Sequence, residues 1–258
     1  MNILLLLAFL FITGAMLGWV VELIFRRFFS SNNPDRKWIN PGFCIGPYLP
    51  LYGFGLSVLF LLALLQDIPL SPIPFWNNTL IILIMAVSMT VIEYIAGIFS
   101  LKVLKVRLWD YSGCKGNIQG IICPLFSRMW AIISAAYYFI FHPIVINAVL
   151  WLEQNLAFYF LIGLFFGIFL VDVVYASRLI SKIKTYAVEN GVVVRYEALK
   201  VQIRERQDAL RKKGRFFFPL NTELSLSELL KEWHQSIEKH KHYLEERKKK
   251  AKQEKDKH

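Results

Sequence analysis

The chain has 258 residues, 55% of them hydrophobic and 15% aromatic, with a mean hydropathy of +0.43 and a formal net charge of +11. That composition is too apolar for a soluble domain and points to a membrane protein. The three cysteines and five histidines match no zinc spacing, so no metal and no cofactor is expected.

Five apolar segments follow one another along the chain, at 3–25, 48–65, 80–101, 118–141 and 156–175. Each is close to the roughly 20 residues that cross a bilayer as a helix. No basic residue precedes the first run, which therefore reads as a retained anchor and not as a cleaved signal. Arg26, Arg27, Arg36 and Lys37 follow the first segment, and Lys102, Lys105, Arg107 and Lys115 follow the third. The connections 66–79 and 142–155 carry no Lys or Arg. The positive-inside rule then places the basic loops and the tail in the cytoplasm, with the N-terminus outside and the C-terminus inside. Cys44, Cys114 and Cys123 fall at that cytoplasmic side, where thiols stay reduced.

The expected fold class is all-α: a polytopic membrane helix bundle of about five transmembrane helices with a helical, basic cytoplasmic tail. The transmembrane domain is expected over 1–176 and the tail over 177–258. From Arg178 onward the chain holds 21 of the 30 Lys and Arg residues. A capping-box pattern at Ser225 and Glu228 opens an amphipathic stretch with Leu226, Leu229, Leu230, Trp233, Ile237 and Leu244 on one stripe. Arg215 and three phenylalanines, 216–218, suit contact with anionic lipid at the inner surface. Interleaved acids argue against nucleic acid as a partner of this tail.

Two stretches echo each other, 10–65 and 82–140. Glu22 precedes a basic loop with Trp38, Asn40, Gly42, Pro47 and Pro50. Glu93 precedes a basic loop with Trp109, Asn117, Gly120 and Pro124. Both units run in the same direction, as expected of a parallel repeat about the membrane normal. The Gly/Pro-rich run 40–48 reads either as a re-entrant segment lining a cavity, its N–H groups open to an anion, or as a tight turn.

Glu22, Glu93, Arg128 and Asp172 are ionisable residues within otherwise apolar spans. Charge at that depth is costly and marks function. Helical rise places all four in the inner half of the bilayer, so one cytoplasm-facing polar pocket is expected, with Asn40, Tyr52 and Asn117 beside them. Arg128 is expected to pair with one or two of the acids. The surplus carboxylate would bind a cation or hold a proton, and structural bonding between helices is the alternative.

Gly18-Trp19-x-x-Glu22, Asn40-x-Gly42-Phe43-x-x-Gly46-Pro47-x-x-Pro50-x-Tyr52-Gly53, Trp109-Asp110-Tyr111-Ser112 and Asn117-x-x-Gly120-x-x-Cys123 stand in this order. Together they resemble the bacterial ABC-transporter permease family of the CmpB type, over about residues 10–140. Pro41 stands where the family pattern has Arg. The resemblance implies a multi-pass protein of the bacterial cytoplasmic membrane, with an ATPase or another membrane protein as partner. No P-loop G-x-x-x-x-G-K-[ST] occurs, so the chain is not itself an ATPase, and no catalytic constellation is visible. Three functions remain open: a transport or substrate-binding component, a non-catalytic scaffold with a regulatory tail, and a lipid-headgroup enzyme.

Overall fold

The computed structural model describes residues 2–204 except 31, 32, 69 and 202, together with Gln235. The stretch 215–218 and the helix expected from Ser225, Gln235 apart, lie outside the described residues. Among the described residues, five helices are long and apolar enough to cross a membrane. The first is α1 (Ile3–Phe28). The second is α2 (Pro50–Ala63), prolonged by a 3-10 turn, and the third is α3 (Pro74–Phe99), prolonged by a π-turn over Ser100–Leu104. The fourth joins α4 (Pro124–Ala136), a π-turn (Tyr137–Phe141) and α5 (His142–Gln154). The fifth is α6 (Phe158–Glu189). The ends of α1, α3 and α6 and the starts of α2 and α4 thus share one end of the bundle, which carries the basic loops.

Local chemistry sets the helix ends. Asn2 caps α1 by accepting the Leu4 N–H at 3.0 Å. Proline opens α2, α3 and α4, where its missing N–H would have had no helical partner. Pro74 starts α3 six residues before the expected 80, and Pro124 starts the fourth span six residues after the expected 118. Lys105, in the left-handed region with φ 58°, stops the third.

The fourth span differs most from expectation. Residues 142–155 are not a connection: α5 occupies most of them, and the turn comes at 155–157. Pro143 would interrupt an α-helix, because it lacks an N–H and its ring strikes the carbonyl four residues back. Here the helix widens before it, with the His142 N–H reaching back to the Tyr137 carbonyl, and then continues. Likewise α6 runs well beyond 175, carrying Arg178, Lys182 and Lys184 on its last turns.

The tightest packing is between α1 and α2. A Cβ on Gly53 would lie 2.6 Å from the Phe11 carbonyl oxygen, and one on Gly14 2.7 Å from the Tyr52 carbonyl oxygen. Small residues at this crossing let the two backbones approach. Leu10, Leu59, Phe60, Ile81, Met85, Met89, Tyr137 and Tyr138 then bury a core shared by the first four spans. The α6 helix lies against α1 through Phe166 and Phe169, whose rings are 5.8 and 5.5 Å from Phe11. Leu17, Val21, Leu83, Val87 and Phe160 are exposed on the outer faces, the surface a bilayer covers.

At the basic end, β1 (Val106–Arg107) pairs in parallel with β2 (Val194–Arg195). Val106, Ile183, Val194, Tyr196 and Leu199 are buried around this pair. The chain after α6 is thereby strapped across the loops of the bundle.

Gly53→Val should lower stability by about 1–3 kcal/mol, as overpacking does. Gly163→Ala, which meets nothing within 4 Å, should be neutral or gain up to about 1 kcal/mol from helix propensity. Thermal midpoints of the two variants in one detergent check both signs.

Candidate functional site: the buried carboxylates

Glu22 and Arg26 are one turn apart on α1, which puts them on the same face. The Arg26 Nε donates to Glu22 Oε1 at 2.9 Å, and the Tyr52 hydroxyl donates to Glu22 Oε2 at 3.0 Å. Arg26 is itself buried, and its Nη1 lies 3.5 Å from Glu197 Oε2 in the strap.

Glu93 is 5% exposed and has a different environment. Its Oε1 accepts the Tyr111 hydroxyl at 3.1 Å and its Oε2 accepts the Trp130 indole N–H at 2.9 Å. Both donors are neutral. The Trp130 ring faces Tyr52, centroid to centroid 6.5 Å, so Glu22, Tyr52, Trp130 and Glu93 form one sequence of contacts across four helices. A void of about 10 Å³ lies between Tyr52, Met89, Glu93 and Trp130, barely the space of a single water.

Asp172 lies elsewhere. Its carboxylate accepts the Ile45 and Gly46 N–H groups at 2.9 and 2.8 Å and the Tyr48 hydroxyl. The N–H groups of the Gly/Pro-rich run are therefore taken by a carboxylate of the same chain. Asn40 completes this loop. Its Oδ1 accepts the Trp19 indole N–H at 2.9 Å and the Gly42 N–H at 3.0 Å, while its Nδ2 donates to the Cys44 and Ile45 carbonyls. Pro47 sits within the loop and Pro50 opens α2 behind it. Gly18 lies under the Tyr52 ring, and Gly46 against Tyr48, with no room for a Cβ at either.

The strap seals the same loop. Tyr196 Oη and Lys200 Nζ donate to the Gly42 carbonyl at 3.1 and 2.8 Å. Burial pushes the Cys44 thiol up to about 11, with the Asp172 charge adding to it and Lys200 opposing. Burial likewise lowers Lys200 to about 8, helped by Arg26 and opposed by Cys44 and Asp172.

The second loop is built on Asn117. Its Oδ1 accepts the Gly120 N–H at 3.0 Å and its Nδ2 donates to the Ser112 and Cys114 carbonyls. Gly120 has φ +68°, which favours glycine. The Trp109 indole donates to the Ile121 carbonyl at 2.8 Å. Tyr111 stacks on Phe126 at 4.1 Å, and burial together with Glu93 holds its phenol far above the ordinary value, so it stays a donor. Burial opposes ionisation of Asp110, but Ser112, Arg107 and Arg195 outweigh it and hold the carboxyl below its usual range.

Of the expected pocket, the structure brings together Glu22, Tyr52 and Glu93. Asn40 and Asp172 hold the first loop and Asn117 the second. Arg128 does not join the acids: it is exposed on α4 and forms no ion pair among the described residues. Arg128 is two positions from Trp130, about 200° around the helix, and Trp130 takes the face that meets Glu93. The cation beside an acid is Arg26, which by sequence served only as a loop charge, although its i,i+4 spacing from Glu22 was legible. Tyr111 stood out only as part of the Trp109-Asp110-Tyr111-Ser112 motif, and Trp130, Glu197 and Lys200 carried no local signal.

The family described as "Putative ABC-transporter type IV" matches residues 9–177. The chain belongs to this family. The matched region holds Glu22, Glu93 and Asp172, whereas Arg195, Glu197 and Lys200 of the strap lie beyond it. Membership in the ABC-transporter type IV family and five helices of spanning length identify a multi-pass, transport-related membrane protein. No curated protein and no solved structure matches the chain.

Asp172→Ala should free the loop and expose Cys44, which is 6% exposed. Maleimide labelling located by peptide mass spectrometry should rise severalfold at Cys44 and stay level at Cys114. Lys200 gives a pH signature. Its folded value, about 8, is below its ordinary 10.5, so the unfolded strap binds the proton more tightly and stability rises from about pH 8 to 10.5. Melting curves across that window should show the rise in the native chain and lose it in Lys200→Met.

Proposed function

We propose that the chain is the membrane-embedded subunit of an ABC-type transporter of the bacterial cytoplasmic membrane, with ATP hydrolysis supplied by a separate chain. In this reading Glu22 and Glu93 form the polar centre that meets a cationic solute or a coupling proton. The observation that carries it is the pairing of two carboxylates, from α1 and α3, through Tyr52 and Trp130, with Arg26 as the neighbouring cation. Two acids against one guanidinium leave an anionic surplus inside apolar spans, the arrangement expected of an ion or substrate path.

The centre is closed. A void of about 10 Å³ admits no solute, so passage requires the α1–α2 hairpin to separate from the α3–α4 hairpin. The same reading takes 10–65 and 82–140 as parallel repeats. Its support is that Asn40 and Asn117 satisfy their own loops alike, ahead of helices that both open with proline. The basic end, with the strap across it, faces the cytoplasm and the ATPase, and the N-terminus faces outward.

Purification from the cells that naturally express the protein, in mild detergent, should bring down an ATPase with a P-loop. Glu93→Gln keeps the shape and removes the charge. That variant should accumulate, retain the partner and fail to restore transport in cells lacking the native gene. Absence of any ATPase, or full activity of Glu93→Gln, would refute the reading.

A further inference from the structure

At the basic end, the strap and the second loop enclose an open polar concavity of about 410 Å³. Its walls include Arg107, Asp110, Ser112, Asn117, Gln119 and Arg195. It shares no lining residue with the void at the carboxylate centre.

The register of the two strands sets its charge. In the parallel pair Arg107 is the partner of Arg195, so two guanidinium groups flank the same space from residues 88 positions apart in the chain. Both hold Asp110, one on each oxygen: Arg107 Nη1 on Oδ1 at 3.0 Å and Arg195 Nη2 on Oδ2 at 3.2 Å. Each guanidinium has five N–H donors in a planar fork. The Asp110 contacts leave most of them uncommitted, on side chains that line an open space. Asp110 is kept ionised by these contacts, so the three groups sum to one positive charge. The Ser112, Asn117 and Gln119 side chains add neutral polar groups to the wall.

Gly120 explains why the concavity persists. A Cβ there would lie 2.6 Å from Arg107 Nη1 and 3.2 Å from Asp110 Oδ1, so any larger residue would displace the pair. The concavity also sits just beyond the π-turn that ends the third spanning helix at Leu104, and lipid phosphates lie just outside the hydrocarbon that such a helix crosses. Its aliphatic wall residue is Val193, which suits a headgroup and not an acyl chain.

We propose that the concavity between Arg107 and Arg195 binds a phosphate group carrying one to two negative charges. Planar guanidinium forks match phosphate oxygens with paired, charge-assisted hydrogen bonds. The phosphate comes either from the headgroup of an anionic phospholipid or from a free phosphate compound. When bound it bridges the second loop to the strap, and so tightens the element whose Glu197 holds Arg26 and whose Lys200 holds Gly42.

The test uses the full chain in a non-ionic detergent at fixed ionic strength. One arm titrates short-chain phosphatidylglycerol, another short-chain phosphatidylcholine, and a third inorganic phosphate, with chloride as the blank. Binding is read by native mass spectrometry and by the thermal midpoint. Arg195→Gln is the probe, because its side chain is 60% exposed and its loss should leave the fold intact, as the ligand-free midpoint will report. Lys115→Gln removes the same charge from the second loop, outside the concavity. Arg195→Gln should weaken binding at least about tenfold, the effect of losing a hydrogen bond to a charged group, while Lys115→Gln leaves it within about twofold of the native chain. Saturation by phosphatidylglycerol alone identifies a lipid headgroup, and saturation by inorganic phosphate identifies a soluble ligand. No binding in any arm, or equal weakening by the two variants, would overturn the proposal.

Discussion

Hydrocarbon offers a polar group nothing to bond with, so every donor and acceptor at that depth must find its partner in the protein. The architecture can be derived from this constraint. Asp172 projects from α6 where two consecutive backbone N–H groups and a phenol need an acceptor, and it satisfies all three. With Asn40, it holds the segment 42–48 in its non-helical course at the bundle end. That loop in turn sets where α2 begins and how closely α2 can lie on α1.

The half-buried Glu22 and the buried Glu93 and Asp172 each meet this problem differently. Glu22 has a guanidinium one turn away on its own helix; Glu93 has two neutral donors from other elements; Asp172 has a backbone nest. An ion pair and a set of neutral donors differ in consequence. A phenol and an indole are both neutral, so neither donor offsets a charge on the Glu93 carboxylate. Glu22 is the balanced member of the pair and Glu93 the unbalanced one, which is why the functional reading turns on Glu93.

The strap after α6 links regions that the spans alone leave separate. It reaches the first loop through Tyr196 and Lys200, the end of α1 through Glu197, and the second loop through Arg195. A chain segment beyond the spanning helices thus touches both loops that precede α2 and α4, and it does so next to Arg26 and Asp110. Any partner or ligand acting on the strap acts on the support of Glu22 by direct contact.

Span number and the grouping of the basic loops at one end follow from the sequence alone, because hydropathy and charge are properties of short windows; the starts of α3 and α4, at Pro74 and Pro124, each lie six residues from where hydropathy put them. The same windows misjudged the fourth span, where a π-turn absorbs Pro143 and the helix goes on. That Glu22 and Glu93 lie at similar depth was legible, since acids within apolar runs are conspicuous and their depth can be counted along the helix. Which donor meets which acid was not. Arg26 with Glu197, Asp172 with Ile45 and Gly46, Trp130 with Glu93, and Arg107 beside Arg195 depend on how far each helix is rotated and where each loop folds back. Rotation decides that Trp130 faces inward and Arg128 outward, and it is set by the packing of all neighbouring helices together, which no local stretch of sequence encodes.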